Sequence, residues 1–360
     1  LIFSRMKTKI LLLLSLVLLL GDIYGQNAND FELICYCSGY ETPHSVVSYD
    51  NNLQLILLFK DGLTLKHLDS LQIPYTKSQI KLLKLFNLIK QENKVFYSNI
   101  AILENENAIE LRKYSKSIAE KIIPFIETDL LELNRHLNSI NRSENAFSIT
   151  FSYVLDGLIW KEFEAKGITK PIEDIENSPW NGHFWMLESK RSSGFGTNTY
   201  SDSSVTIAIT NGAPYRLTKS FYKEREIRKL LLNDIKLYNK VIDERVLRAF
   251  KEFKIFDSNG EVTIPIIYEN NQNALYSLSK RISHQICNKT LELVELNEII
   301  EKYNFSDNEQ AVIVMYNEIM WELLEIILEK GIMDIPIILK EPEQAEVQNI
   351  SDILYIIRKD

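Results

Sequence analysis

The sequence predicts an α+β fold, predominantly helical, made by tandem duplication of a unit that joins a β-hairpin to helices. Three observations carry the prediction. The chain of 360 residues is 45% hydrophobic and 25% charged with only 12 Gly and 9 Pro, which excludes collagen-like, low-complexity and wholly disordered classes. Apolar residues recur at helical spacing over most of its length, broken by short alternating runs bounded by Asn, Asp, Ser and Gly. The sequence also matches itself at an offset of 163.

In that match Leu130 to Asn145 agrees with Leu293 to Asn308 at 7 of 16 positions, where chance gives about one. Nearby segments fall on almost the same offset. Ser115, Lys116, Ile118 and Ile122 meet Ser279, Lys280, Ile282 and Ile286, and Lys166, Gly167 and Ile168 meet Lys330, Gly331 and Ile332. Pro171 and Ile172 meet Pro336 and Ile337; Glu104 and Asn105 meet Glu269 and Asn270. Upstream, Leu55 to Phe59 and the following Lys60, Asp61 and Gly62 resemble Val205 to Ile209 and Thr210, Asn211 and Gly212, at an offset of 150.

At the N-terminus, Lys7, Thr8 and Lys9 precede an apolar run, Ile10 to Leu20, broken only by Ser15 and ending in Gly21, Asp22, Ile23, Tyr24 and Gly25. That is the pattern of a cleaved secretory signal over 1–25, with Leu1 to Arg5 expected to precede the natural start at Met6. A membrane-spanning helix needs about 20 apolar residues, so no permanent span is expected. The protein is expected to be exported, periplasmic or extracellular. The remainder divides into a first repeat half, 26–172, a second, 173–340, and a C-terminal extension, 341–360.

Each half follows one order. A β segment comes first, Ser45 to Phe59 around a turn at Asp50 to Asn52, and Thr199 to Ile209 around Asp202 to Ser204. A helix follows, Lys77 to Lys90 or Glu244 to Phe256. Then comes a short extended pair, Val95 to Leu103 or Val262 to Tyr268, the second with its turn at Ser258, Asn259 and Gly260. The rest is helical: Pro124 marks a helix boundary, Ser143 and Ser306 read as N-caps, and Gly167 and Gly331 close the same helices. Helix, helix and a short β pair is similar to a winged helix, a module usually associated with DNA. The charge and the export segment argue against carrying that function over.

Removal of 1–25 takes Arg5, Lys7, Lys9 and Asp22 and leaves 38 basic and 48 acidic side chains, a net charge of −10. That balance disfavours a nucleic-acid partner, whose affinity comes largely from Lys and Arg displacing counterions. The helix bearing Lys219, Lys223, Arg225, Arg228 and Lys229 also carries Glu224 and Glu226, and reads as a solvated face.

Candidate chemistry is sparse. Three cysteines in an exported chain allow a disulfide between two of Cys35, Cys37 and Cys287, with inert buried thiols as the alternative. His284 and Cys287 are three apart on a helix, yet their counterparts are Glu120 and Ile123, so scaffolding is the simpler reading and no metal or other cofactor is expected. Trp160 and Trp321 lie among aliphatics at helical spacing and read as core, while Asp156, Glu162, Glu318 and Glu322 read as solvated.

The densest aromatic stretch is Trp180, His183, Phe184 and Trp185, followed by a hydroxyl-rich loop from Ser192 to Ser204. Flat apolar rings beside small polar groups suit stacking against a sugar or similar ligand, which makes Trp180, His183, Trp185, Thr197, Asn198 and Tyr200 the candidate ligand residues. Packing residues and an ordinary loop are the plain alternative. His183, Asp202 and a loop serine can also be drawn as a hydrolytic set, but the chain has no Gly-x-Ser-x-Gly elbow, no Gly-rich phosphate cradle and no His-Glu-x-x-His. No catalytic residue is assigned. The expectation is a non-enzymatic module binding a small molecule, a glycan or a protein, with a secreted hydrolase second and a winged-helix-like nucleic-acid binder third.

Overall fold

The computed structural model describes residues 30–38, 42–171, 176–177, 180–191, 194–202, 204–303, 305 and 307–359, and of 35–38, 176–177 and 180–185 the backbone only. The segment 1–25, expected to be a secretory signal, and Ser192, Ser193, Ser203 and Ser306 lie outside the described residues. The fold is mixed α+β with about 59% helix and 15% strand.

Along the chain run β1 (Phe31–Ser38), α1 (Pro43–Val47), α2 (Asn52–Leu58), β2 (Leu63–Thr64), α3 (Leu65–Ser70), α4 (Lys77–Leu85), β3 (Ile89–Glu92), β4 (Val95–Ser98), β5 (Ala101–Leu103) and the long α5 (Asn105–Ser139). Next come α6 (Ala146–Ser148), a π-helix (Ile149–Leu158), α7 (Ile159–Ala165), β6 (Glu176–Asn177), β7 (Trp180–Ser189), β8 (Gly196–Ser201) and β9 (Val205–Asn211). The chain continues through α8 (Tyr215–Lys223), α9 (Arg225–Tyr238), α10 (Glu244–Ala249), β10 (Ile266–Tyr268), α11 (Ala274–Leu293), α12 (Leu296–Tyr303), α13 (Asn308–Glu329), α14 (Ile337–Lys340) and β11 (Leu354–Arg358). Two compact units result. One comprises residues 1–110, 170–191 and 298–311, the other 111–169, 192–297 and 312–360.

In the first unit β7 is the middle strand of the sheet β1-β7-β5, antiparallel to β1 and parallel to β5, with β6 also paired to β7. A second, three-stranded sheet has the order β2-β4-β3. Its core gathers Leu55 and Ile56 from α2, Leu68 from α3, Ile80 and Leu83 from α4, Phe96 from β4 and Leu187 from β7. The expected β segment at Ser45 to Phe59 is helical instead. An apolar run such as Leu53 to Phe59 fits either period, and burial of Leu55, Ile56 and Phe59 on one side decides for the helix. The proposed match of Leu55 to Phe59 with Val205 to Ile209 therefore pairs a helix with a strand. The helix from Lys77 opens on a capping box between Thr76 and Gln79 and stops at Leu85, five residues short of the expected end, because Asn87 takes a φ of 55° and the chain turns into β3.

In the second unit the sheet order is β10-β11-β9-β8, with β11 parallel to β10 and antiparallel to β9. Strand alternation sets its two faces. Val205, Ile207, Ile209, Leu354 and Ile356 enter a core with Leu217 and Phe221 of α8, Leu231 and Ile235 of α9, and Phe250 and Phe253. On the opposite face Thr210 bonds the Ser152 hydroxyl at 2.6 Å, and the Tyr355 ring meets Tyr153 edge-on at 5.9 Å. β11 lies within 341–360, so that segment supplies an interior strand of this sheet.

Pro124 sits inside α5 without ending it. It stands on the exposed side, where water can reach the Glu120 carbonyl that the missing N–H leaves unbonded. Ser143 does not cap a helix: a 3-10 turn begins there and its hydroxyl bonds Glu144 at 2.9 Å. Gly167 and Gly331 end α7 and α13 with φ values of 67° and 64°, as expected of C-caps.

Candidate functional site

β8 is an edge strand, and its alternate residues do different things. Thr197 donates its hydroxyl to Asp156 Oδ2 at 2.6 Å. The next residue, Asn198, faces the other way: its Nδ2 donates to Asn211 Oδ1 at 2.9 Å, and Tyr222 Oη donates to the same oxygen at 2.7 Å. The half-buried Tyr200 ring packs edge-on to Phe221 and lies 4.2 Å from the Arg228 guanidinium carbon.

Lys219, Lys223, Arg225 and Lys229 are exposed, as a solvated face requires, but Arg228 departs from that reading and is only 6% exposed. Its Nη1 donates to the Phe221 carbonyl, and Nε has no hydrogen-bond partner. Burial lowers its pKa, opposed by Tyr200 and Tyr222. Burial raises the pKa of both tyrosines, and the arginine pulls each back. Neighbouring Lys229 is engaged by Glu226 at 2.8 Å. The corner of β8, β9, α8 and α9 thus holds two amides, two phenols and a buried cation. Composition and spacing pointed to Asn198 and Tyr200 but missed Asn211, Tyr222 and Arg228, which reach the corner from other elements.

On the opposite face of β8, Asp156 projects from the π-helix, a geometry often found at functional positions. It is partly buried, and burial raises its pKa to about 6 against the hydroxyl of Thr197 and the indole of Trp160. Tyr316 and Tyr355 near it are pushed up by burial first and by the Asp156 charge second. Gly157 fits this wide helix because a Cβ there would come 2.9 Å from the Ser152 carbonyl oxygen. The expectation of solvated carboxylates fails here and on α13. Glu318 is 1% exposed and takes Arg112 at 3.3 Å, and Glu322 is buried as well. Trp160 and Trp321 are buried, the first edge-on to Tyr316 and the second beside Phe151.

The other expected ligand residues lie on a different strand and in a different unit, apart from Thr197, which faces Asp156. Trp180, His183 and Trp185 lie on β7, in the first unit, whereas Thr197, Asn198 and Tyr200 belong to the second. The register passes from Tyr36 opposite Phe184 to Cys37 opposite Gly182, which makes His183 the bulged residue of β7. The side chains of Trp180, His183 and Trp185 lie outside those described. Asp202, the acid of the hydrolytic alternative, is held by Lys236 Nζ at 2.9 and 3.2 Å.

Cys35 and Cys37 lie on β1 and their side chains are outside those described, while Cys287 is a buried free thiol whose pKa burial pushes up to about 12. His284 Nδ1 lies 2.8 Å from Glu162 Oε2. Among the described residues no three His, Cys, Asp or Glu side chains are grouped to hold a metal ion, and no helix is long and apolar enough to cross a membrane. Comparison with protein-family models, curated proteins and solved structures finds no match to this chain.

Proposed function

We propose that this protein is an exported, non-enzymatic binding module made of two copies of one ancestral unit, and that its ligand surface is the β8 corner. The observation that carries the reading is the convergence of Asn198 and Tyr200 with Asn211, Tyr222 and Arg228. Amide, phenol and guanidinium groups on one aromatic shelf supply what recognition of a small polar ligand requires.

Topology supports the duplication. β5 runs parallel to β7, which is antiparallel to β1; β10 runs parallel to β11, which is antiparallel to β9. Before β5 lie α2, β2, α3, α4 and the β3-β4 hairpin, in the sheet order β2-β4-β3. Before β10 lie α9, α10 and a hairpin in which Glu261 bridges Lys240 and Val262 bridges Phe256, the same order in reduced form. Both sets follow a winged-helix plan. Ser115 on α5 and Ser279 on α11, matched in sequence, are both fully buried. On this reading β1 corresponds to β9.

The ligand reading is tested by saturation-transfer NMR on the full chain with two probe sets, methyl glycosides and small carboxylates. Binding by either set that is lost in Tyr200→Ala supports it. Binding that persists in that variant, or none from either set, overturns it.

A further inference from the structure

Resting on that ligand surface, we propose that the β8 corner takes a small carboxylate, bound by Arg228 and oriented by Tyr200. Arg228 carries an unmatched charge. Taking a cation out of water costs several kcal/mol even after relaxation, and buried arginines ordinarily recover this from a carboxylate held by the planar fork. Arg228 is more than nine-tenths buried, yet among the described residues no Asp or Glu ion-pairs with it. The acid that acts on it, Glu224, is exposed, stands at the N-cap of α9, and makes no ion pair among the described residues.

The chain spends only part of the fork. Nη1 goes to the Phe221 carbonyl, while Nε stays without a partner. Tyr200 covers one face of the guanidinium, which fixes its plane. Its hydroxyl makes no hydrogen bond among the described residues and is free to donate. Asn198 and Tyr222 are tied together through Asn211 and give the rim a fixed polar edge. With Lys229 neutralised by Glu226, the corner carries about one uncompensated positive charge, which suits a monoanion. A planar fork with a buried, unpartnered Nε fits a planar carboxylate.

The test is thermal unfolding of the full chain in sodium acetate against sodium chloride at equal ionic strength and pH 7. Wild type is expected to gain Tm saturably with acetate alone, Arg228→Gln to lose the gain, and Tyr200→Phe to need several-fold more acetate. Should Arg228→Gln fail to fold, Arg228→Lys, which keeps the charge without the fork, is expected to need at least tenfold more. An acetate gain that persists in Arg228→Gln or is undiminished in Arg228→Lys overturns the proposal, as does its absence in wild type. In the last case, methyl glycoside binding that depends on Tyr200 leaves the ligand surface standing, whereas loss of both responses removes it too.

Discussion

The guanidinium of Arg228 lies 4.2 Å from the centre of the Tyr200 ring, a cation under an aromatic lid on an edge strand. The ring also packs against Phe221, so the contact belongs to the core as well as to the surface. Tyr200→Phe keeps the ring and is expected to cost under about 1 kcal/mol, while Tyr200→Ala removes the lid and is expected to cost about 2 to 4 kcal/mol. Urea unfolding of the two variants checks the difference.

Asp156 links pH to stability. Burial raises its folded-state pKa to about 6, above the ordinary 3.8 of an aspartate, so the folded chain holds this proton more tightly. The contribution is fully present below about pH 4 and is lost as pH rises through about 6. Asp156→Asn keeps an acceptor for Thr197 without the charge. It is expected to match wild type at pH 4 and to exceed it by about 2 to 3 kcal/mol at pH 7.5, as read from denaturant midpoints across that range.

Gly260 closes the hairpin of the second unit at a φ of 80°, where a Cβ would come 2.0 Å from the Val241 carbonyl oxygen. The Val241 N–H donates to the Gly260 carbonyl at 2.8 Å, so the two backbones cannot part without breaking that bond. Gly260→Ala is expected to cost about 2 to 4 kcal/mol. Thermal unfolding against wild type measures the loss.

Ser115 and Ser279 bury hydroxyls that have no hydrogen-bond partner. A buried donor without a partner costs about 1 to 3 kcal/mol, and Ala is the better helix former. Ser115→Ala and Ser279→Ala are each expected to be neutral or stabilising. Calorimetry on both singles checks this, and a marked loss of stability in either one contradicts it.

The helical majority was legible in the sequence because α5, α11 and α13 are long and periodic, and the Gly167 and Gly331 caps were readable because left-handed backbone favours glycine. The segment from Ser45 to Phe59 was not, since a short apolar run fits a strand or a helix until its partners are known. The interior strand β11 escaped notice for a related reason: Leu354 to Arg358 pairs with strands far away in the chain. Of the candidate site, Asn198 and Tyr200 were found by residue type. Arg228 was misplaced because a cation beside Glu224 and Glu226 looks solvated on a helical wheel, and only tertiary packing brings Tyr200 over it.

The most direct test of the ligand surface is a map of backbone amide shifts on the full chain during a sodium acetate titration at constant ionic strength. Saturable shifts centred on Asn198, Tyr200, Asn211, Tyr222 and Arg228 are expected. Shifts centred elsewhere, or none that saturate, contradict the ligand surface.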